Sequence, residues 1–128
     1  MGIIVGGPQI LQTWIAGTDL TNYQFHAVKI YSTADQVTIA DTAGEECIGI
    51  LQNAPYTGEE AVVCVLGPTC VAYGGTVAVN GQFCAEVTTA DLVANTNTAY
   101  YTLGICTKTA ADTNIGTGIV THSGCGYS

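Results

Sequence analysis

The side chains best suited to acid–base chemistry are two pairs of glutamates, Glu45-Glu46 and Glu59-Glu60. Glycosidases use two carboxylates, which flank the bond that breaks. These pairs instead stand at the two ends of one apolar hairpin, where sequence neighbours flank a turn and not a substrate. Four acids near one hairpin could also bind calcium, but the regular spacing of a calcium loop is missing. We therefore interpret both pairs as solvated turn residues.

Nucleophilic catalysis finds equally little support. Ser123 follows His122, but adjacent residues on a strand point to opposite faces, and the sequence contains no Gly-x-Ser-x-Gly motif. A nucleophilic Cys64 or Cys84 would need an electropositive niche, which two lysines can hardly supply. Phosphate loops and dinucleotide-binding glycine patterns are also absent from the sequence. The sequence thus predicts that the protein is not an enzyme and takes no cofactor.

Six cysteines raise the alternatives of a metal site, disulfides or buried thiols. They are Cys47, Cys64, Cys70, Cys84, Cys106 and Cys125. No Cys-x-x-Cys occurs and neither histidine stands near a cysteine at a finger-like spacing, so we predict no metal site. Cys64, Cys84 and Cys106 lie in apolar runs, where a free cysteine behaves as a small buried hydrophobe. Buried thiols are favoured, and disulfides remain the alternative.

The charge balance bears on the partners. Ten acidic residues stand against Lys29 and Lys108, which gives a net charge of −8 with no arginine. Phosphate binding needs clustered cations, so nucleic acid is not an expected partner. No uncharged apolar run approaches the roughly 20 residues of a spanning helix, so no membrane partner is expected either. The first residues lack a basic segment and a long apolar core, so we expect no signal peptide and synthesis in a reducing cytoplasm.

The elements that position these residues are predicted to be short strands. Threonine, valine and isoleucine are abundant, and β-branched side chains favour strands. The predicted strands cover residues 23–31, 36–40, 47–52, 60–67, 69–73, 76–79, 82–87, 100–107 and 116–122. The break at Gly67-Pro68 rests on the missing proline N–H. Asn80-Gly81 predicts a type I′ hairpin turn, and residues 88–98 are predicted to be a loop.

A weak internal sequence similarity links two of these strands. Ile48-Gly49-Ile50 and Leu103-Gly104-Ile105 are each followed by a link and a second apolar run. The two hairpins are either structural counterparts or a chance match. If they are counterparts, Gly49 and Gly104 lie where two backbones approach closely or where a strand bends.

This pattern predicts an all-β fold, a small single-domain β-barrel or barrel-like sandwich with an extended N-terminal arm. Closure into a barrel is preferred because it removes strand edges that would aggregate. We expect the extended arm to cover residues 1–17, the β domain residues 18–122, and a flexible C-terminal tail residues 123–128.

The arm is the candidate contact site because it carries Ile10, Leu11, Trp14 and Ile15, while Gly6-Gly7-Pro8 interrupts any helical register. These apolar side chains either pack onto the protein's own core or await another surface. We favour the second alternative, since exposed apolar segments commonly mark interaction sites.

Several short segments of the sequence resemble one family of viral proteins. The phrases that carry the resemblance are Ala16-Gly17-Thr18-Asp19-Leu20, Gly49-Ile50-Leu51-Gln52-Asn53-Ala54-Pro55 and Gly58-Glu59-Glu60-Ala61. They are similar to the small capsid decoration (cement) proteins of tailed bacteriophages, described as DUF2190-like or head-fibre-related. The resemblance implies a β-rich domain that oligomerises, commonly as trimers, on the outside of a phage head. The six cysteines, the scarcity of basic residues and the Gly-Cys-Gly tail depart from the family pattern.

From this resemblance we expect a structural virion protein on the outer capsid surface, made in the host cytoplasm. Its expected partners are the major capsid protein, contacted through Ile10, Leu11, Trp14 and Ile15, and further copies of itself, with a trimer favoured. The alternative is a free-standing adhesin or carbohydrate-binding β module, for which disulfide bonds are an option.

Overall fold

The structure is a computed structural model that describes residues 8–33, 35–86, 91–109 and 115–125. Residues 123–125 are described by their backbone alone. The described residues contain nine strands and no helix. The strands are β1 (Ile10–Ala16), β2 (Ala27–Ile30), β3 (Gln36–Ile39), β4 (Gly49–Leu51), β5 (Glu60–Ala72), β6 (Gln82–Ala85), β7 (Leu92–Ala94), β8 (Tyr101–Cys106) and β9 (Ile115–Cys125). They form one sheet in the order β1-β3-β2-β4-β5-β9-β8-β6-β7. The prediction of a small, single-domain all-β fold is confirmed.

The first part of the sheet closes into a barrel, which we call the first ring. β1 runs antiparallel to β5 and parallel to β3, so that β1, β3, β2, β4 and the N-terminal half of β5 surround one interior. Alternate residues of each strand face that interior, as the period of a strand requires. Its buried side chains are Ala16, Leu20, Val28, Val37, Leu51, Ala61 and Val63. The predicted closure is therefore present.

The second ring shares β5 with the first. The C-terminal half of β5 pairs with β9, and β8, β6 and β7 follow in order. A parallel bridge from Tyr73 to Leu92 brings β7 back to the end of β5. Tyr73 and Phe83 meet edge to face in the interior, with ring centroids 5.8 Å apart. The long strand β5 thus belongs to both rings and joins them.

The predicted break of β5 at Gly67-Pro68 is wrong, because residues 60–72 form one strand. Gly67 has a φ of 106°, a conformation that glycine adopts without steric cost. At this point β5 exchanges its neighbours in the first ring for β9, and Pro68 pairs with Ile119. A proline is tolerated here because the pairing pattern changes at the same place.

Two further local predictions need correction. The turn near Asn80 runs from Ala78 to Gly81, and the Gly81 N–H donates to the Ala78 carbonyl at 2.8 Å. A type I′ turn at Asn80-Gly81 needs a positive φ at both residues, but only Asn80 has one, 65°. Residues 76–79 are therefore not the first strand of a type I′ hairpin. Part of the predicted loop 88–98 is the short strand β7, while residues 88–90 lie outside the described residues.

The two rings have the same topology. The strands of the first ring, in chain order, are β1, β2, β3, β4 and the first half of β5. Their counterparts in the second ring are the second half of β5, β6, β7, β8 and β9, and they pair in the same order. In both rings the one parallel contact joins the first strand to the third. The residue pairings also correspond: Val28↔Ile39 with Phe83↔Ala94, Ala27↔Ile50 with Gln82↔Ile105, and Ile50↔Cys64 with Ile105↔Ile119. The internal sequence similarity around Gly49 and Gly104 therefore reflects a structural repeat of the whole ring.

Backbone details repeat with the strands. Phe25 and Asn80 both have positive φ, 68° and 65°, and their N–H groups donate to the carbonyls of Leu51 and Cys106, each at 2.7 Å. A Cβ on Gly49 would overlap the carbonyl oxygen of Cys64, and one on Gly104 would overlap that of Ile119. The predicted close approach at both glycines is confirmed.

The interiors of the two rings differ in how volume is distributed. Phe83 occupies the place of Val28, and Gly118 that of Val63, as the matching registers show. A Cβ on Gly118 would lie 2.8 Å from Phe83 Cε2 and 3.0 Å from the Tyr73 hydroxyl. A large side chain on one strand is therefore balanced by a glycine on another, as close packing requires.

Candidate functional site

The four residues predicted to contact a capsid all lie on β1. This strand pairs with β5 through residues 10–15 and with β3 through Ile15 and Ala16. Residues 10–16 thus form part of the first ring. At the other end of the chain, β9 continues through residues 123–125. Residues 126–128 of the expected tail, and residues 1–7 of the expected arm, lie outside the described residues.

β1 is unusually apolar for a strand so open to solvent. Ile10, Leu11 and Ile15 are 51%, 48% and 42% exposed, whereas Trp14 is half-buried and packs against the interior of the first ring. Leu11 and Ile15 lie on the face opposite to Trp14, because side chains alternate along a strand. β1 therefore presents apolar side chains on both faces.

One backbone edge of β1 is also available. β3 reaches only Ile15 and Ala16, so within the described ranges the same edge of residues 10–14 has no strand partner. Unpaired edges of this kind are templates for pairing with another chain. Exposed apolar side chains and a free edge coincide on the same strand.

A groove of about 550 Å³ opens beside β1, between the two rings. Trp14, Ile48 and Val65 line its side on the first ring, and Tyr101 and His122 line the opposite side. His122 is held by both ring nitrogens: Nδ1 lies 2.9 Å from the Tyr101 hydroxyl and Nε2 lies 2.8 Å from the carbonyl of Val65. This wall of the groove is therefore fixed to β5. His122, Ile48 and Val65 could not be predicted as groove residues from the sequence, because only the fold brings them to β1.

A second histidine also joins the rings. His26 Nε2 lies 2.6 Å from Asp91 Oδ1, and Nδ1 lies 3.0 Å from the carbonyl of Gln24. His26 precedes β2 of the first ring and Asp91 precedes β7 of the second. Both histidines of the chain thus make polar contacts that hold the seam between the rings.

The glutamates considered for catalysis shape turns instead. Glu45 Oε2 accepts the N–H groups of Asp41 and Thr42 at 2.7 and 2.6 Å, and Glu59 Oε1 accepts that of Tyr56 at 2.7 Å. The prediction of solvated turn residues is confirmed for Glu59. It needs correction for Glu45, whose side chain is only 19% exposed, and for Glu60, which is the first residue of β5.

Lys29 completes the Glu45 turn. Its ammonium lies 2.6 Å from Asp41 Oδ1 and 3.0 Å from Glu45 Oε1. The hydrogen bond from Lys29 holds the pKa of Asp41 below its usual range, and the same bond to Asp41 is the main cause that raises the pKa of Lys29. One of the two lysines of the chain is thus committed to a structural ion pair.

The cysteines are free thiols at the five positions whose side chains the structure describes. Cys47, Cys64, Cys84 and Cys106 are buried, and Cys70 is half-buried. Burial raises the pKa of Cys47 to about 12 and that of Cys84 to about 11, so both thiols stay protonated at neutral pH. The predicted buried thiols at Cys64, Cys84 and Cys106 are confirmed. The disulfide-bonded alternative finds no support at these five positions.

Within the described ranges, no group of three or more His, Cys, Asp or Glu side chains is arranged to hold a metal ion. The same residues include no helix long and apolar enough to cross a bilayer.

Two closed rings of identical topology on one continuous sheet define a class of small, internally repeated all-β domains. The crystal structure of the head fiber gp8.5 N base in bacteriophage phi29 is similar to this chain, with a TM-score of 0.70. The likeness covers 94% of this chain and 100% of that chain at 11% sequence identity. The two proteins thus share a fold.

The sequence comparisons do not extend this likeness. No family model matches the chain, and no curated protein matches it. Membership of the DUF2190-like family therefore stays a prediction from the sequence phrases, whereas the fold of a head-fibre base is present.

Proposed function

We propose that this chain is a structural, non-enzymatic protein of a tailed-phage particle, a decoration or cement protein that binds the outer surface of the head and stabilises it. The observation that carries the proposal is the fold shared with the head-fibre base of phage phi29 over nearly the whole of both chains. The sequence phrases that resemble decoration proteins point to the same class independently.

The contact with the major capsid protein is assigned to β1, through Ile10, Leu11, Trp14 and Ile15. Leu11 and Ile15 supply an apolar face that is 48% and 42% exposed. Covering the exposed half of each side chain contributes roughly 0.7–1.5 kcal/mol, about half the value for a fully exposed side chain. The free edge of residues 10–14 can add main-chain hydrogen bonds, which give affinity in strand addition. Ile10 and Trp14 lie at the groove and border this contact.

Weak binding per copy is sufficient for a cement protein. A lattice offers many equivalent sites, and linked copies gain avidity far beyond that of one contact. A homo-oligomer, with a trimer favoured, would multiply the contact in this way. The net charge of −8 then gives the decorated head an acidic surface that keeps particles apart.

The test is binding to heads assembled without this protein. Leu11→Thr combined with Ile15→Thr removes the apolar face and places a β-branched residue, which favours strands, at both positions. We expect this variant to lose at least about tenfold in affinity, measured by co-sedimentation with the heads. The matched control is Val79→Thr, because Val79 is 58% exposed and lies in the second ring. Equal binding by the double variant and the wild type would contradict the role of β1, and absence of wild-type binding would contradict the function.

A further inference from the structure

The structural repeat assigns a counterpart to each side chain on the first-ring side of the groove. Trp14 pairs with Ala61 as Val71 pairs with Gly116, so Trp14 and Val71 are equivalent. Ile48 precedes Gly49 as Leu103 precedes Gly104, and Val65 follows Cys64 as Val120 follows Ile119. The three groove residues therefore correspond to Val71, Leu103 and Val120 of the second ring.

The two sets differ sharply in burial. Val71, Leu103 and Val120 are at most 1% exposed, and they share one continuous core with Ala27, Ile50 and Cys64 of the first ring. The first ring thus covers the mouth of the second. Trp14, Ile48 and Val65 are only half-buried. Among the described residues, Tyr101 and His122 line one side of the groove, but no row of strands packs across the mouth of the first ring as the first ring packs across that of the second.

The covering surface has a counterpart as well. Ala27, Ile50 and Cys64 are hydrogen-bonded neighbours across β2, β4 and β5, and their equivalents are Gln82, Ile105 and Ile119. We call these three equivalents the outer row. Ile119 is 38% exposed and Ile105 is half-buried. The outer row is therefore on the surface, and its counterpart in the first ring is a surface that already packs against a ring mouth.

We propose that the groove at Trp14, Ile48 and Val65 receives the outer row of a second copy of this chain. The relation would repeat between copies the packing that joins the two rings within one copy. Such a contact uses two different patches, so it is head-to-tail and produces a closed ring of subunits or an open chain. The proposal deepens the oligomeric part of the proposed function, on which it rests.

The composition of the outer row suits a surface that is exposed before assembly. Where the first ring has the buried Ala27, the outer row has the half-buried Gln82, which gives it a polar member at the surface. Asn95 and Thr102, which replace Ala40 and Cys47, are themselves buried, and Asn95 Nδ2 donates to Thr102 Oγ1 at 2.8 Å. A polar residue on the outer face helps to keep the terminal unit of a repeat array soluble. The three side chains of the outer row carry no charge, so the acidity of the chain does not oppose the contact there.

The experiment measures the mass of the full chain in solution by sedimentation velocity, with one variant for each patch. Gln12 is exposed and lines the groove, so Gln12→Arg obstructs the groove without altering the core, and Ile119→Arg alters the outer row. Each variant alone is expected to lower the association constant about tenfold or more. Tyr56→Arg, at a residue 64% exposed outside both patches, is the control and should associate as the wild type does.

Mixing the two variants gives the decisive result. The Gln12→Arg copy keeps a native outer row and the Ile119→Arg copy keeps a native groove, so an equimolar mixture should form a heterodimer that neither variant forms alone. The opposite contact, between the altered groove of the Gln12→Arg copy and the altered outer row of the Ile119→Arg copy, places two arginines together. It therefore cannot account for the heterodimer. A wild type that is monomeric at about 100 µM, variants that associate normally, or a mixture that stays monomeric would each overturn the proposal.

Folding and capsid binding are separated from this outcome. If Gln12→Arg loses its thermal transition, Ile119→Arg alone decides the matter, since its side chain is partly exposed. Head binding of each variant is measured in parallel. Loss of self-association with retained binding of single copies to heads supports the head-to-tail contact, whereas failure of the wild type to bind heads contradicts the proposed function and leaves the solution result standing.

Discussion

Gly104 illustrates, at the scale of a single residue, how tightly the strands of a ring approach. A Cβ at this position would overlap the carbonyl oxygen of Ile119 and lie 2.6 Å from Phe83 Cζ. Backbone cannot yield as a flexible side chain can, so the substitution must displace a strand.

We expect Gly104→Ala to lower the free energy of unfolding by about 1–3 kcal/mol, the usual cost of overpacking. Gly75→Ala is the matched control, because the nearest atom to its added Cβ is Val93 Cγ1 at 3.8 Å, and its effect should stay within about 0.5 kcal/mol. Urea denaturation of both variants provides the comparison. Equal stabilities would show that the close approach at Gly104 is not a constraint.

The Lys29 ion pair predicts a specific dependence on pH. The folded-state pKa of Asp41 is lowered, so this carboxylate contributes stability above its unfolded pKa of about 3.9 and loses it as pH decreases through the folded value. The raised pKa of Lys29 gives stability that is complete below about pH 10.4 and is lost as pH rises through the folded value.

Lys29→Met should therefore flatten the acid side of the stability profile between about pH 5 and pH 2. Lys108→Met changes the net charge equally, and Lys108 is exposed, so this control should keep the wild-type slope. Thermal unfolding midpoints across this range measure both. Identical slopes for the two variants would assign the acid sensitivity to groups other than Asp41.

At the scale of elements, β1 has two roles. It closes the first ring by pairing with β3 and β5, and it carries the proposed capsid contacts. Deleting residues 1–15 is therefore not a clean test of binding, because the deletion opens the ring as well.

We expect the deletion of residues 1–15 to abolish the cooperative thermal transition of the first ring, since its interior loses a covering strand. The Leu11→Thr and Ile15→Thr double variant should retain that transition, with a loss of about 1 kcal/mol or less at these exposed positions. Differential scanning calorimetry distinguishes the two. A deletion variant that unfolds like the full chain would show that β1 is an appendage and not part of the ring.

Most strands could be predicted from the sequence, because alternating apolar residues and glycine or proline boundaries are local signals. The ring topology could not, since pairing partners far apart in sequence leave few local marks. The repeat was visible only at Gly49 and Gly104, where both backbones approach closely. Elsewhere equivalent positions differ in side chain, as Val28 and Phe83 do, and share only their backbone pairing.

The candidate site was predictable in part for the same reason. The apolar residues of β1 are contiguous in sequence, so they were found, and their exposure agrees with an available surface. Ile48, Val65 and His122 come from three other segments, and only the closure of two rings around β5 brings them beside Trp14. Phe25 and His122 also have positive φ, which turn rules assign to glycine or asparagine.

At the scale of the whole molecule, the duplication accounts for the distribution of surface properties. Among the residues that the structure describes, one ring mouth is covered and its equivalent is open to solvent, and one outer row is buried and its equivalent is at the surface. A protein with one open mouth and one open row is suited to assembly, and the exposed face of β1 remains available for a different partner. This division of surfaces suits a component that joins neighbours while resting on a lattice.

The most direct test of the central claim is a cryo-electron microscopy reconstruction of the phage head that carries this chain. We predict two-ring density on the outside of the capsid shell, with the face of β1 that bears Leu11 and Ile15 against the major capsid protein. Absence of the chain from the head, a position inside the shell, or a contact made only by the second ring would contradict the account.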